Sequence, residues 1–367
     1  MATADARGAA ARIETDEIAL LQQLVAIPSV SGDEAAVAQA IVDWAQARGL
    51  APLRDDTSVR VEVCAAAPGP TLALVSHLDV VPPGDGWTRD PFVPTIDAGR
   101  MFGRGATDAK ASVAAMLCAL VDVMRAGGPG RGRLLLLLGY SEETRDTSMP
   151  RAVPVCGPID AAIIGEPTSL DFAVAQRGLM VAEICAHGDQ RHAAYVSEGS
   201  YRSAVLGLAA DLLKLPTLLQ DRPHALLGQP SIAPTMLQAG VARNMTPPMA
   251  KALLDLRTTP SYTHTEVAEV LRAALGSEVQ VLSDRLVPCQ TPPGSRLLAT
   301  ASALRPGARQ YGSATCSDWV FLRHVDAVKC GPGDSAVSHR PDESVSLQQV
   351  TEARAFYRAL AQAYLAA

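Results

Sequence analysis

The sequence predicts an α/β fold: a mixed, mostly parallel sheet flanked by helices, interrupted by an inserted α+β unit. Three observations carry this. Short apolar runs bounded by Gly, Pro or charge recur as TLALVS (71–76), RLLLLL (133–138), AAII (161–164) and DAVKC (326–330), the pattern of buried parallel strands. Beyond Glu166 the texture changes to alternating stretches (LMVAEICAHG, ALLDLRTTP, EVQVLS) and two amphipathic helices, SAVLGLAADLLKL and HTEVAEVLRAALG. At 367 residues the chain is long for one core, which favours two domains. The expected division is 1–176 and 289–367 for the α/β domain, with 177–288 inserted between its two parts.

In chain order, MATADARGAAARIETDE has two arginines but no apolar core and is expected to be a frayed tail, not a signal peptide. Residues 16–50 form two helices around the turn PSVSGDE, with Ser31, Asp33 and Glu34 offering an N-terminal cap and Gly49 closing the second. A strand then ends at His77, and a Gly- and Pro-rich segment leads to Asp108. AKASVAAMLCALVDVMRAGG follows as a helix, which places Asp108 near a helix N-terminus. From about residue 290 the α/β pattern resumes and closes with the helix LQQVTEARAFYRALAQAYLA.

Composition excludes several classes. A net charge of -6 leaves no basic face for nucleic acid. No stretch approaches the ~20 apolar residues of a membrane helix, so a soluble, cytoplasmic protein is the expectation. Seven cysteines, odd in number and without a CxxC pair, argue against both a disulfide scaffold and a thiolate zinc site.

Chemistry-bearing residues cluster just after the apolar runs. They are His77 with Asp79, Asp108 in GRGATDAK, the Glu142-Glu143 pair, Glu166 in GEPT, and His339 in CGPGDSAVSHRPDE. Open α/β sheets carry their chemistry outside the carboxyl ends of the strands. Acids and imidazoles gathered there repel and desolvate one another unless a cation holds them. In HLD the two polar side chains share one side of an extended segment, so Asp79 can steady the second nitrogen of His77. Each piece alone has a plainer reading: a strand-end His, an Asp helix cap, a solvated acidic turn. The ordered set is far more specific than any member.

On HxD, GRGxxDxK, EE, GEP and GPG…HxPDE the chain resembles the zinc-dependent N-acyl-amino-acid deacylases and exopeptidases. These include acetylornithine deacetylase, succinyl-diaminopimelate desuccinylase, aminoacylase-1, carnosinase and carboxypeptidase G2. The likeness extends from SVSGDE through SHRPDESV. It implies two Zn2+ ions, with Co2+ or Mn2+ as substitutes. Asp108 would bridge them, His77 and Glu166 would complete one site, and Glu143 and His339 the other. Glu142 would be the general base, beside Asp79.

The same resemblance makes the insert a lid and dimerisation domain. His192 in HGDQRHAAY would reach the partner's active site of a homodimer to stabilise the oxyanion, with His187 as a nearby competitor. Asn244 and Arg257 resemble the substrate-binding positions, although Arg257 is equally placed to pair with Asp255 on its strand. Ser317 and Asp318 would line the pocket. The sequence departs from the family at Ala111, where Gly is usual, and at Tyr201-Arg202 in the lid motif. The stretches YGSATCSD and KCGPGDS look most like acetylornithine and acetyl-lysine deacetylases of amino-acid and arginine biosynthesis. The implied reaction is release of an acyl group, acetyl first, from a small N-acyl amino acid. Alternatives are a succinyl-diaminopimelate desuccinylase, with Arg177 or Arg202 meeting the extra carboxylate, or a metallo-carboxypeptidase or dipeptidase. A non-catalytic binding module is a further class, but it would be marked by loss of Glu142 or Asp108, and both are present.

Overall fold

The structure is a computed structural model that describes residues 15–144, 146–197 and 199–366. In chain order the elements are α1 (Asp16–Val25), α2 (Ala35–Gln46), β1 (Leu53–Arg54), β2 (Ser58–Cys64), β3 (Thr71–His77), β4 (Thr95–Asp97), β5 (Arg100–Phe102), α3 (Lys110–Arg125), β6 (Arg133–Gly139), α4 (Met149–Ala152) and β7 (Ala161–Ile164). There follow β8 (Phe172–Gln176), β9 (Gly178–His187), α5 (Ala204–Lys214), β10 (Ser231–Ala239), β11 (Met249–Thr258), α6 (His264–Ala274), β12 (Glu278–Leu286) and β13 (Cys289–Gln290). The chain closes with α7 (Arg296–Leu304), β14 (Gln310–Ser313), β15 (Asp326–Lys329), β16 (Ser344–Ser346) and α8 (Leu347–Tyr364).

Two compact units result. The first runs to Asp171 and takes in Arg296–Ala308 and the chain from Lys329 onward; the second comprises Phe172–Ser295 and Arg309–Val328. In the first unit β1, β2, β6, β3 and β7 lie side by side in that order. The β3–β6 pair is parallel and runs from Thr71↔Arg133 to His77↔Gly139, and β7 pairs with β3 in parallel from Leu72↔Ala161 to Val75↔Ile164. All three strands therefore end at one edge. Every residue of β3 is buried, as expected of a central parallel strand covered on both faces. On one face α3 packs against α1 and α8. Its small residues Ala111, Ala114, Ala115 and Ala119 are all fully buried, which allows close approach. Ala111 sits inside this helix with ordinary backbone, so the absence of Gly there costs nothing.

Helix α2 ends as expected: Gly49 at φ +85 closes it, with Leu50 N–H donating to the Ala45 carbonyl and Gly49 N–H to that of Gln46. Its start differs. Neither Ser31 nor any other side chain caps it, because the polar atoms of the PSVSGDE turn are directed to the functional edge. Helix α1 begins at Asp16, as expected for 16–50, so Asp16 and Glu17 belong to it and not to the tail segment, and Glu17 is buried against Arg354 and Thr351. The rest of that segment, before residue 15, lies outside the described residues.

The second unit contains an antiparallel sheet ordered β10-β11-β9-β12. Alternate residues of β9 and β11, among them Met180, Ala182, Ile184, Ala252, Leu254 and Leu256, form its core with Leu208 of α5 and Val267 and Leu271 of α6. Helices thus cover one face, which explains the period-two pattern. Strand β10 escaped the sequence reading. It is an edge strand, exposed along nearly its whole length and broken by a register shift at Pro234, so it shows neither alternation nor an apolar run. No helix among the described residues is long and apolar enough to cross a membrane. All seven cysteines are free.

Candidate metal centre

The shared strand register brings the predicted residues of the first unit together. His77 is the last residue of β3, Glu142 and Glu143 follow β6, and Glu166 follows β7. Gly331 lets the chain after β15 pass close to this edge, since a Cβ there would lie 2.6 Å from the Glu166 carbonyl oxygen and 2.5 Å from Ser112 Oγ. A small antiparallel sheet, β16-β5-β4, then carries the SHRPDE segment to the GRGATD loop, with Gly103 N–H donating to the Glu343 carbonyl.

Asp108 lies at the centre. Its Oδ1 is 3.2 Å from His77 Nε2 and its Oδ2 is 3.5 Å from His339 Nε2. His339 Nε2 also lies 2.9 Å from Glu143 Oε1, and His77 Nε2 lies 4.0 Å from Glu166 Oε1. Donors of His77, Asp108 and Glu143 all fall within 4.8 Å of one another. Ligand atoms about 2.0–2.1 Å from a tetrahedral metal lie roughly 3.3 Å apart, so these separations fit the group. A carboxylate that turns one oxygen toward each of two imidazoles has the arrangement of a bridging ligand. His339 holds φ +61, a left-handed conformation that costs a non-glycine residue about 1 kcal/mol or more.

The electrostatics are those of donors competing for too few cations. Burial opposes charge on Asp108, yet the hydrogen bonds of His339 and His77 hold its carboxyl well below the usual range. Burial, then the charge of Asp108, pushes Glu166 up to about 7, and burial likewise raises Glu143. Hydrogen bonds to Asp108 and Glu143 lift His339 to about 10. His77 is raised well above its ordinary value, because contacts with Asp108 and Asp79 and the charge of Glu142 outweigh burial. Divalent cations binding here would displace these protons.

The positions around the cluster hold it in place. His77 Nδ1 lies 3.0 Å from the Asp79 carbonyl oxygen and 3.3 Å from its carboxylate. The Asp79 carboxylate does more than steady the imidazole as expected: Oδ1 accepts Glu142 N–H at 2.9 Å, and Oδ2 accepts Glu143 N–H at 3.0 Å and Ser31 Oγ–H at 2.7 Å. The sequence reading quoted Arg104 in GRGATDAK and Glu343 in SHRPDE but gave neither a role. Both are buried and paired at 2.6 Å, and the second Glu343 oxygen accepts Thr107 N–H at 2.8 Å and Asp108 N–H at 3.0 Å. A buried acid is retained only with such partners. Lys110 is also buried, donating to the Leu24 and Ile27 carbonyls, and desolvation lowers it to about 7.

The remaining predicted residues belong to the second unit. His192 and Asn244 are exposed and border one pocket, joined where Ala193 N–H donates to the Asn244 carbonyl. His192 Nδ1 accepts Ala194 N–H at 3.2 Å. His187 is exposed, 3.4 Å from Glu278. Arg257 pairs with Asp255 at 2.8 Å, the strand pairing already open in the sequence. Arg177 lies beside it, donating to the Arg257 carbonyl at 3.4 Å and to that of Leu227 at 2.6 Å. Burial, then the Arg257 charge, lowers the Arg177 pKa. Arg202 is exposed; Ser317 is buried, giving its hydroxyl to Gln176 at 2.8 Å and capping the turn that begins at Asp318.

Comparison with known proteins agrees with this geometry. Succinyl-diaminopimelate desuccinylase of Rhodospirillum centenum is 31% identical over 381 residues, covering 96% of this chain and 98% of its own. The same enzyme of Methylibium petroleiphilum is 31% identical, covering 93% and 96%. These relatives carry the desuccinylase name, whereas the sequence reading of YGSATCSD and KCGPGDS expected the acetylornithine and acetyl-lysine deacetylases to be most similar. Among solved structures, the M20 metallo-carboxypeptidase Sso-CP2 of Sulfolobus solfataricus shares the fold at a TM-score of 0.75 and 18% identity, covering 96% of this chain and 99% of its own. The Bacillus subtilis YXEP protein, described as a dinuclear metal binding peptidase from the M20 family, does so at 0.74 and 19%, covering 95% and 97%. The profile described as Peptidase family M20/M25/M40 matches residues 73–363, and the chain belongs to that family.

Proposed function

We propose that this protein hydrolyses the amide bond of an N-acyl amino acid, with two divalent metal ions held by His77, Asp108, Glu143, Glu166 and His339, and that N-succinyl-diaminopimelate is its leading substrate. The observation that carries the reading is the Asp108 carboxylate, shared between the two histidines at 3.2 and 3.5 Å. The donors are nitrogen and oxygen without thiolate, which suits zinc and accepts cobalt or manganese. Bound there, two such ions would acidify a water and polarise the amide carbonyl. Glu142, on the turn whose amides Asp79 holds, takes a proton from the attacking water as the new C–O bond forms. It returns that proton to the amine nitrogen as the C–N bond breaks, leaving a free amine and a carboxylic acid that gives up its remaining proton to solvent. His192 donates to the developing oxyanion.

The succinyl preference rests on the named relatives, with the Arg177 guanidinium as the cation for the extra substrate carboxylate. The acetyl reading, N-acetylornithine or N-acetyl-lysine, keeps the support of YGSATCSD and KCGPGDS. A homodimer through the second unit completes the proposal. Edge strand β10 exposes Met236 and Leu237, and α5 exposes Leu206 and Leu213 seven residues apart on one face. A second copy covering them would supply His192 in trans. The test is amine release from a panel of N-succinyl and N-acetyl amino acids, with zinc or cobalt added and EDTA as control. Metal-dependent release greatest with N-succinyl-diaminopimelate is the expected result. Release greatest with N-acetylornithine or N-acetyl-lysine selects the acetyl reading.

A further inference from the structure

Three consecutive amide groups, those of Ser141, Glu142 and Glu143, end on carboxylates. Asp79 takes the second and third. Glu34 takes the first: its Oε1 accepts Ser141 N–H at 3.0 Å, Ser141 Oγ–H at 3.1 Å and, within its own turn, Gly32 N–H at 2.9 Å. Glu34 comes from the N-terminal end of α2 and is 7% exposed. Ser141 holds φ +57, the left-handed region that a residue with a Cβ occupies only when its surroundings impose it. Its carbonyl then accepts Thr144 N–H at 3.3 Å and Thr144 Oγ–H at 3.1 Å, closing the turn. Glu142 is the next residue, so the backbone angle at Ser141 sets the direction in which Glu142 leaves β6. Glycine would take this angle freely but would also take others, and it has no hydroxyl to give.

We propose that Glu34 is the positioning residue of the general base: its carboxylate holds Ser141 in the left-handed conformation and so aims Glu142. The proposal rests on the reading of Glu142 as the base. It explains why the acid of SVSGDE, expected to cap α2, has its carboxylate at the functional edge. Glu34 acts on the backbone and hydroxyl of Ser141 and is not one of the proposed metal ligands. Its loss therefore lowers turnover while leaving substrate binding and metal content in place.

The experiment compares Glu34→Ala, Glu34→Gln, Ser141→Ala and Glu142→Ala in the metal-loaded enzyme, reading kcat and KM separately with metal content and a crystal structure of each. Glu34→Ala is expected to lose on the order of 10²-fold in kcat, the scale of a ~1 Å misplacement, with KM within about twofold. Its crystal structure should show Ser141 out of the left-handed region. Glu34→Gln keeps an acceptor oxygen and recovers most of the lost kcat. Should Glu34→Ala not fold, Ser141→Ala reads the same effect at a few-fold size, because it removes only the hydroxyl donor. An inactive Glu142→Ala beside a Glu34→Ala with parental kcat, or with Ser141 unmoved, overturns the positioning role alone. If Glu34→Ala does not fold, a parental kcat in Ser141→Ala does the same. A Glu142→Ala as active as the parent overturns the base itself, and the proposal with it.

Discussion

The two units treat their chemistry-bearing residues in opposite ways. In the first, side chains as distant in sequence as His77 and His339 meet around a single carboxylate. There the left-handed Ser141 is held by Glu34, and the buried Glu343 pairs with Arg104. In the second, His192 and Asn244 are exposed, Arg257 is paired along its own strand, and Ser317 caps a turn. Parallel strands in register deliver their ends to one edge whatever the loops do, so a metal site can be assembled rigidly there. The residues proposed to select a substrate lie in the second unit, with His192 and Asn244 at its surface.

The sharpest test of the first unit is Glu142→Ala, expected to keep its metal and lose about 10³-fold in turnover, the middle of the range for a general base. Metal analysis beside kcat measures both. Glu343→Ala should act differently, by freeing the Asp108 loop. Metal affinity is expected to fall 10- to 100-fold, as for other residues that orient ligands, in titrations of the apo protein. In the second unit, Arg177→Ala should raise KM for the succinyl substrate roughly 10- to 100-fold, the worth of a charge-assisted hydrogen bond, and leave N-acetyl substrates little changed. Equal loss on both would make Arg177 a general binding residue and blur the contrast between the units.

The smallest effect concerns stability. Asp211 of α5 accepts Gly276 and Ser277 N–H and Ser277 Oγ–H. Burial opposes its charge, but Lys214 and these donors lower its pKa to about 2, below the usual 3.8. A depressed folded pKa stabilises above the unfolded value and loses that contribution as pH falls. Asp211→Ala should cost about 1–3 kcal/mol at neutral pH. The difference in Tm between parent and variant should then shrink as pH falls from above 3.8 toward about 2.

How much was legible follows the same division. His77, Glu142, Glu143 and Glu166 each stand just beyond an apolar run, a pattern visible without tertiary structure, and the strands themselves show by hydrophobicity. Glu34 and Ser31 looked like helix caps because a cap and a carboxylate that reaches across to another loop have the same local sequence. Glu343 and Arg104 stand inside motifs visible in the sequence, but their burial and their pairing emerge only in the fold. Edge strand β10 has no buried face to impose a pattern, and the contacts of Arg177 with Leu227 and Arg257 depend on a turn and a strand far from it in sequence.

The central claim is that Asp108 joins two metal ions in one centre. Its most direct test is the metal content per folded chain of the parent and of Asp108→Ala, by elemental analysis after equilibration with zinc. The account predicts two ions in the parent and none firmly held in the variant. A variant that keeps both ions, or a fully active parent that binds only one, would contradict it.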